Sequence, residues 1–149
     1  EFCKIFSRFV EENGIKENEF GLEITETAEL EDTKKAGESL ERLKKRGIKI
    51  ALDDFGAGYA SLKYIRDLPI DVVKLDRHFT SNISDPSTSR LIKFVSDVCA
   101  ELNLEMIGEG IETEKEKNMM IELGCLTGQG FLMHMPSFIE DIKKENNDG

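Results

Sequence analysis

Short apolar segments that run directly into carboxylates recur four times along this chain. They are Leu22 to Glu26, Ile50 to Asp54, Val73 to Asp76 and Ile107 to Glu112. Each apolar run has the length of a buried strand. Carboxylates are costly to bury unless they are paired or bind a cation. Because parallel strands bring their carboxyl ends to one face, four acidic strand ends constrain the fold strongly and indicate a shared acidic site.

Helical and strand patterns alternate along the whole chain. The patterns predict helices near 1–12, 32–46, 60–66, 86–102, 113–123 and 137–145, and strands near 20–26, 48–53, 71–76, 104–109 and 128–132. Such alternation indicates an α/β fold with parallel strands and right-handed crossovers. About five βα units fit into the chain, whereas a closed eight-stranded barrel needs at least about 200 residues. Two architectures stay open: an open sheet, or a barrel that lacks its first part.

The charge balance restricts the partners of the chain. There are 20 basic and 30 acidic residues, for a net charge of −10. A surface this acidic repels nucleic acid and anionic membranes, so we expect no DNA partner and no direct membrane contact. An anionic substrate would need metal ions to mediate its binding. The three scattered cysteines fit neither a disulfide framework nor a zinc site, which favours a cytoplasmic location.

The adjacent pair Asp53 and Asp54 gives the clearest chemical signal. Two neighbouring carboxylates repel each other unless a cation lies between them. Two divalent ions about 3.5–4 Å apart relieve that repulsion and clamp a phosphoryl group during displacement. A helix-capping Asp followed by a turn Asp is the structural alternative, and it explains one residue of the pair. Lys74, if it faces inward, needs anionic neighbours, and a purely structural salt bridge is the alternative there.

Five motifs follow one another along the chain. They are Leu22-Glu23-Ile24-Thr25-Glu26-Thr27, Asp53-Asp54-Phe55-Gly56-Ala57-Gly58-Tyr59-Ala60-Ser61-Leu62, Leu68-Pro69-Ile70-Asp71-Val72-Val73-Lys74-Leu75-Asp76-Arg77, Gly108-Glu109-Gly110-Ile111-Glu112-Thr113 and Gln129-Gly130-Phe131. With these motifs in this order, the chain resembles the EAL-domain phosphodiesterases, which hydrolyse cyclic di-GMP. The resemblance extends from the first helix to Pro136.

The resemblance implies a modified (β/α) TIM-like barrel, of which residues 1–149 form roughly the C-terminal two thirds of a single domain. Residues 145–149 are expected to be a disordered tail. The Glu-Ala-Leu motif that names the family, and a metal-binding Asn on the next strand, belong to earlier strands and have no counterpart here. The chain by itself is therefore expected to be inactive or nearly so. Sensory or cyclase domains often accompany such domains upstream.

The resemblance also assigns roles to individual residues. It implies a two-metal site for Mg²⁺ or Mn²⁺, with Glu23 on the first metal, Asp53 bridging both, and Asp54 and Glu109 at the second. Lys74 is implied to contact the attacking water or hydroxide, and Glu109 is a candidate general base. Gln129 is implied to hydrogen-bond near the metals or the substrate. Supporting roles fall to Glu26 and Glu112, and to Gly56 and Gly58, whose backbone freedom suits a mobile loop.

Three functions are compared. The first is a bacterial phosphodiesterase that opens cyclic di-GMP to linear pGpG. The second is a catalytically silent receptor or protein scaffold of the same fold. The third is an unrelated barrel, such as an enolase-like enzyme, against which the Asp53-Asp54-Phe55-Gly56 and Gln129-Gly130 motifs argue. A homodimer or other self-association is also expected, through an unpaired sheet edge along strand 20–26 at which apolar Leu22 and Ile24 are exposed.

Overall fold

The structure, a computed structural model, describes residues 2–14, 16, 20–25, 32–57 and 61–137. Helices and strands alternate along these residues. The helices are α1 (Phe2–Glu12), α2 (Thr33–Lys44), α3 (Ser61–Asp67), α4 (Arg77–Ser81), α5 (Pro86–Glu101) and α6 (Glu114–Glu122). The strands are β1 (Gly21–Thr25), β2 (Lys49–Phe55), β3 (Val72–Leu75), β4 (Glu105–Gly108) and β5 (Thr127–Gly128).

The strands form one parallel sheet in the order β1-β2-β3-β4-β5. Their pairing is in sequence order, with Gly21 beside Lys49 and Val72 beside Glu105. Each crossover passes through helical chain, as parallel pairing requires. All carboxyl ends therefore point to one edge of the sheet, and the predicted α/β class with parallel strands is confirmed.

The two faces of the sheet differ in chemistry because side chains alternate along each strand. One face packs against the helices and forms the core with buried Ile50, Leu52, Val73, Leu75 and Met106. The opposite face lines a cavity of about 600 Å³, bordered by Gly21, Glu23, Lys49, Ala51, Val72, Lys74, Glu105, Ile107 and Gln129. Lys74 and Glu23 thus lie on the face away from the helical core, where charged groups can approach one another.

Local capping explains where three helices begin. The Asp76 carboxylate accepts a hydrogen bond from the backbone N–H of His78 and starts α4. Asp85 caps α5 and is followed by Pro86, whose fixed φ suits a first helical turn. Thr113 and Glu116 form a reciprocal capping box at the start of α6. The caps at Asp76 and Thr113 fix the turns that follow the acidic ends of β3 and β4, and Asp85 fixes the turn between α4 and α5.

The structure departs from the sequence-based elements at one helix and at the ends of two strands. Strand β2 continues to Phe55, two residues beyond the predicted 48–53. The short helix α4 was not predicted, because five residues carry too little periodicity to be recognised. The last strand covers Thr127–Gly128, shorter than the predicted 128–132 and starting one residue earlier. The predicted helix at 137–145 and tail at 145–149 lie outside the described residues, apart from Ser137. Among the described helices, none is both long and apolar enough to cross a bilayer.

Candidate metal centre

A bulge at the end of β2 brings the two adjacent aspartates together. Leu52 pairs with Val73 and Phe55 pairs with Leu75, so three steps along β2 match two steps along β3. The extra residue lies at Asp53–Asp54, and Asp54 has a φ of 54°. Asp is one of the few residue types that tolerates this left-handed conformation. Neighbouring strand residues normally face opposite sides, and the bulge re-aims one of the two carboxylates.

Lys74 lies at the centre of the acidic group. Its ammonium nitrogen is 2.9 Å from Glu23 Oε1, 2.8 Å from Asp53 Oδ1 and 2.9 Å from Glu109 Oε1. The three carboxylates come from β1, from β2 and from the residue that follows β4. The Lys74 side chain is 9% exposed. One buried cation therefore joins three carboxylates at the carboxyl ends of three strands.

Gln129 completes the polar group from the neighbourhood of β5. Its Nε2 donates a 2.6 Å hydrogen bond to Glu109 Oε1. The backbone of Gln129 is held in place at the same time, because its N–H donates to Gly108 and its carbonyl accepts from Ile111. The side-chain amide is thereby aimed at Glu109 without adding charge to the site.

Burial and mutual repulsion shift the titration of the site. Burial raises the pKa of Asp54, and the charge of Asp53 adds to the increase. Burial also raises the pKa of Glu109, against the opposing effect of Lys74. Burial by itself would lower the pKa of Lys74, but contacts with Asp53, Glu23 and Glu109 outweigh it and raise that pKa. Lys74 is accordingly a permanent cation at neutral pH.

The donor set fits hard divalent cations. Oxygen atoms of Asp53, Asp54 and Glu109 lie within 4.8 Å of one another. Asp53 Oδ1 is buried and lies 2.8 Å from the Lys74 ammonium, but this contact lacks the geometry of a regular hydrogen bond. A buried carboxylate oxygen that is poorly paired is unfavourable. A metal ion would satisfy it, and carboxylate oxygens are the ligands that Mg²⁺ prefers.

A second cavity, of about 280 Å³, adjoins this group through Gln129. It is lined by Arg77, Gly110, Glu112, Gln129, Gly130, Phe131, His134 and Pro136. Glu112 therefore lies beside the centre and not within it. Arg77 was not singled out from the sequence, although it directly follows the strand end at Asp76. Gly110 has a φ of +66° and leaves room for the Arg77 side chain. A Cβ at position 110 would come within 2.7 Å of Arg77 Cβ.

The turn after β2 is packed against α4. Gly56 has a φ of +98°, and a Cβ at this position would lie 2.1 Å from Cε2 of Phe79. Glycine is therefore required here both by conformation and by space. Phe79 belongs to α4 and was also not singled out from the sequence. Two of the predicted supporting residues, Glu26 and Gly58, lie outside the described residues.

The structure thus brings most predicted site residues to one place. Glu23, Asp53, Asp54, Lys74, Glu109 and Gln129 form a single polar group at the carboxyl edge of the sheet. What the sequence did not reveal is the bulge, which depends on the register between β2 and β3. The one local signal for it is the tolerance of Asp for positive φ.

Comparison with known proteins gives a consistent result. Residues 1–136 match the family model described as EAL domain. A curated relative, a cyclic di-GMP phosphodiesterase of Pseudomonas aeruginosa, is 36% identical over 123 residues. The match covers 82% of this chain and 21% of the relative, so the chain spans about a fifth of that protein.

Solved structures show the same likeness. The EAL domain of Mycobacterium smegmatis DcpA has a TM-score of 0.91 and 30% identity, with 99% of this chain and 67% of that chain covered. The PaMucR phosphodiesterase in complex with cyclic di-GMP has a TM-score of 0.81 and 32% identity, with 89% and 54% covered. Of the two architectures left open by the sequence, these matches support part of a TIM-like barrel.

Proposed function

The chain belongs to the EAL domain family, and we propose that it supplies the carboxylate centre of a bacterial phosphodiesterase that hydrolyses cyclic di-GMP to linear pGpG. The observation that carries the proposal is the convergence of Asp53, Asp54 and Glu109 around the Lys74 ammonium. A relative named as a cyclic di-GMP phosphodiesterase, and a similar structure with cyclic di-GMP, support the choice of substrate.

The proposed metals are Mg²⁺ or Mn²⁺. Glu23, Asp53, Asp54 and Glu109 would hold them, since these are the carboxylates gathered at the strand ends. When bound, two such ions supply Lewis-acid polarisation of the scissile phosphodiester. They also supply the positive charge that an anionic dinucleotide needs to approach a chain with net charge −10.

The protein side chains have distinct roles in this proposal. Lys74 donates a hydrogen bond to the attacking water and stabilises negative charge on the phosphate. Glu109 accepts the proton of that water. Gln129 holds Glu109 in position through its 2.6 Å hydrogen bond. The oxygen of the water bonds to phosphorus, the ring P–O bond breaks, and the leaving oxygen takes up a proton from solvent. Glu109 then releases to solvent the proton that it accepted.

The remaining predicted residues are assigned to support. Glu112, in the adjoining cavity with Arg77, stabilises the substrate side of the site. Gly56 shapes the turn after β2, and Glu26 and Gly58 are proposed to brace the same loop.

The Glu of the naming motif and its companion Asn have no counterpart among residues 1–149, so we propose that this chain alone turns over little substrate. Additional sensory or cyclase domains in the same protein are part of the proposal.

A cytoplasmic location is part of the same proposal. Cys99 and Cys125 are buried free thiols, a state that a reducing compartment maintains. Cyclic di-GMP hydrolysis would then act on an intracellular pool of the nucleotide.

The test is turnover of cyclic di-GMP by the protein as its gene encodes it, with pGpG separated by chromatography and with Mg²⁺, Mn²⁺ or chelator present. Asp53→Ala removes a carboxylate that lies 2.8 Å from the Lys74 ammonium and belongs to the converging set of Asp53, Asp54 and Glu109. We expect a loss of at least about 10²-fold in rate, the scale of losing one electrostatic element of an active site. Asp97→Ala is the matched control, because Asp97 is 61% exposed on α5 and pairs with Lys93.

Normal turnover by Asp53→Ala would contradict the proposal. Cyclic di-GMP binding without turnover by the unaltered protein, under every metal condition, would favour the silent receptor or scaffold instead. The 149-residue chain assayed in parallel is expected to show little activity, and a rate equal to that of the gene product would contradict that part.

A further inference from the structure

The Lys74 ammonium contacts the same oxygens that a metal ion would use. Its three neighbours within 2.9 Å are single oxygens of Glu23, Asp53 and Glu109. Asp53 and Glu109 also belong to the set whose oxygens converge within 4.8 Å. A lysine ammonium and a divalent ion cannot both lie in the middle of these carboxylates without strong repulsion, because their charges have the same sign.

The ammonium satisfies these carboxylates only in part. Asp53 Oδ1 is 2.8 Å from the nitrogen, but the contact lacks the geometry of a regular hydrogen bond. Four carboxylates, including Asp54, surround one positive charge, so the group keeps a net negative charge. An ammonium must direct its three N–H bonds, whereas a metal ion is attracted to oxygen from any side. A divalent ion is therefore the better counter-charge wherever one is available.

The structure also has space beside the acidic group into which the Lys74 ammonium can move. The Lys74 side chain borders the cavity of about 600 Å³ on the open face of the sheet. The same cavity is bordered by Glu105, whose carboxylate is 41% exposed, and by the Gln129 amide. A lysine has four flexible carbon–carbon links, so its nitrogen can leave the carboxylates while its stem stays on β3.

We propose that Lys74 is an internal counter-cation, which holds Glu23, Asp53 and Glu109 together in the metal-free protein and gives up these contacts when divalent ions bind. Lys74 thereby stabilises the metal-free fold and weakens metal affinity. The inference rests on the proposed metal site, but it concerns binding and not turnover. In this inference Lys74 positions the carboxylates of Glu23, Asp53 and Glu109, in addition to the hydrogen bond that it is proposed to donate to the attacking water.

The first experiment compares Lys74→Met with the unaltered protein as its gene encodes it. Mn²⁺ binding is measured by calorimetry, and urea unfolding is measured in chelator and in saturating Mg²⁺. We expect Mn²⁺ to bind at least about tenfold more tightly to the variant, since one charge within about 4–6 Å shifts the ionisation of a neighbouring carboxyl group by roughly 1–3 pK units. We also expect the variant to be less stable in chelator, with the difference from the unaltered protein shrinking in Mg²⁺.

Lys93→Met is the control. Lys93 lies on α5, is 52% exposed and pairs with Asp97. The substitution removes the same charge from a residue that does not line the cavity bordered by Lys74, and it should change neither measurement. Equal or weaker Mn²⁺ binding by Lys74→Met, or a stability difference that persists unchanged in Mg²⁺, would overturn the inference.

A second measurement needs no variant. In protein with ¹⁵N-labelled lysine, the Lys74 ammonium should give an NMR signal protected from solvent exchange in chelator, because three carboxylates surround it. Titration with diamagnetic Mg²⁺ should move or remove that signal. A signal that persists unshifted at saturating Mg²⁺ would overturn the inference while leaving the phosphodiesterase proposal intact. Failure of Mg²⁺ and Mn²⁺ to bind at all would overturn both.

Discussion

At the residue scale, the decisive feature is how two adjacent aspartates come to share one site. Their sequence predicts a cation, because repulsion between neighbouring carboxylates is unfavourable. It does not predict that both can reach the site, since consecutive residues of a regular strand face opposite sides. The bulge at Asp53–Asp54 resolves this, and its position follows from the register of β2 against β3. That register is a long-range property, so local sequence signals could not reveal it.

The Lys74 environment shows a similar limit. An inward lysine predicts anionic neighbours, and both interpretations considered from the sequence require them. The structure gives it three carboxylate partners, so the structural salt bridge is present. The catalytic role is not excluded by that finding, because the same side chain can perform both. Which carboxylates it contacts depends on strands separated by tens of residues, and spacing along the chain does not contain that information.

The raised pKa of Glu109 leads to a pH prediction for the metal-free protein. Between the ordinary glutamate value of about 4.3 and the raised native value, the folded state binds more protons than the unfolded state. Stability from this group therefore falls as pH rises through that window. We expect Glu109→Gln, which cannot titrate, to lack this fall. The free energy of unfolding of the variant, relative to that of the unaltered protein, should therefore increase as pH rises through the window.

The measurement is urea unfolding in chelator at several pH values on both sides of that window. Saturating Mg²⁺ should reverse the trend for the unaltered protein, because a bound cation favours the ionised carboxylate. Parallel pH profiles for Glu109→Gln and the unaltered protein in chelator would contradict the assignment. Asp97→Asn, at an exposed carboxylate of α5, serves as the control and should run parallel to the unaltered protein.

At the element scale, the sequence predicted the existence and order of most helices and strands. Gly47, Pro86 and Thr113 mark helix boundaries through conformation and capping, and these signals are local. The failures concern short elements. Helix α4 has five residues and β5 has two, so each is stabilised by its neighbours and not by its own pattern. Phe79 on α4 shows the consequence, since its contact with Gly56 was not foreseen.

That contact gives a prediction about the turn after β2. Gly56→Ala introduces strain at a φ of +98° and a Cβ 2.1 Å from the Phe79 ring. Gly14→Ala is the matched control, because Gly14 has a φ of +64° with no atom within 4 Å of its added Cβ. The control should lose about 1–2 kcal/mol from the left-handed conformation. Gly56→Ala should lose a further 1–3 kcal/mol or so from overpacking.

Urea unfolding of both variants tests this, together with the double variant Gly56→Ala/Phe79→Ala. Removal of the ring should make the cost of the alanine at position 56 similar to that at position 14. Equal losses for the two single variants would show that the Phe79 contact does not constrain this turn.

At the scale of the whole molecule, the sequence predicted the fold class and the resemblance predicted the family, and both are confirmed. The choice between an open sheet and part of a barrel could not be made from alternation alone, because both contain the same βα units. It was decided by structural likeness, with a TM-score of 0.91 to an EAL domain. Chain length bounds the number of units, but curvature of the sheet depends on packing between all of them.

Self-association is the prediction that belongs to the whole molecule. Within the described residues, β1 pairs on one side only, with β2. Leu22 and Ile24 were expected to be exposed, but they are half-buried against the core. The free edge of β1 therefore offers backbone N–H and C=O groups to a second copy more than it offers apolar side chains. Unpaired edges of this kind recruit another strand.

We expect the 149-residue chain to show a rising apparent mass with concentration in light scattering. Gly21→Lys should reduce it by placing a charge at an exposed residue of the edge strand, where an added Cβ meets no atom closer than 3.8 Å. Leu91→Lys, at a residue 54% exposed on α5, should not reduce it. Hydrogen exchange provides a check that needs no variant, because β1 amides should become more protected as concentration rises while those of β3 stay constant. A constant monomer mass, with β1 exchange independent of concentration, would contradict pairing through this edge. Loss of association in Leu91→Lys alone would instead assign the contact to α5.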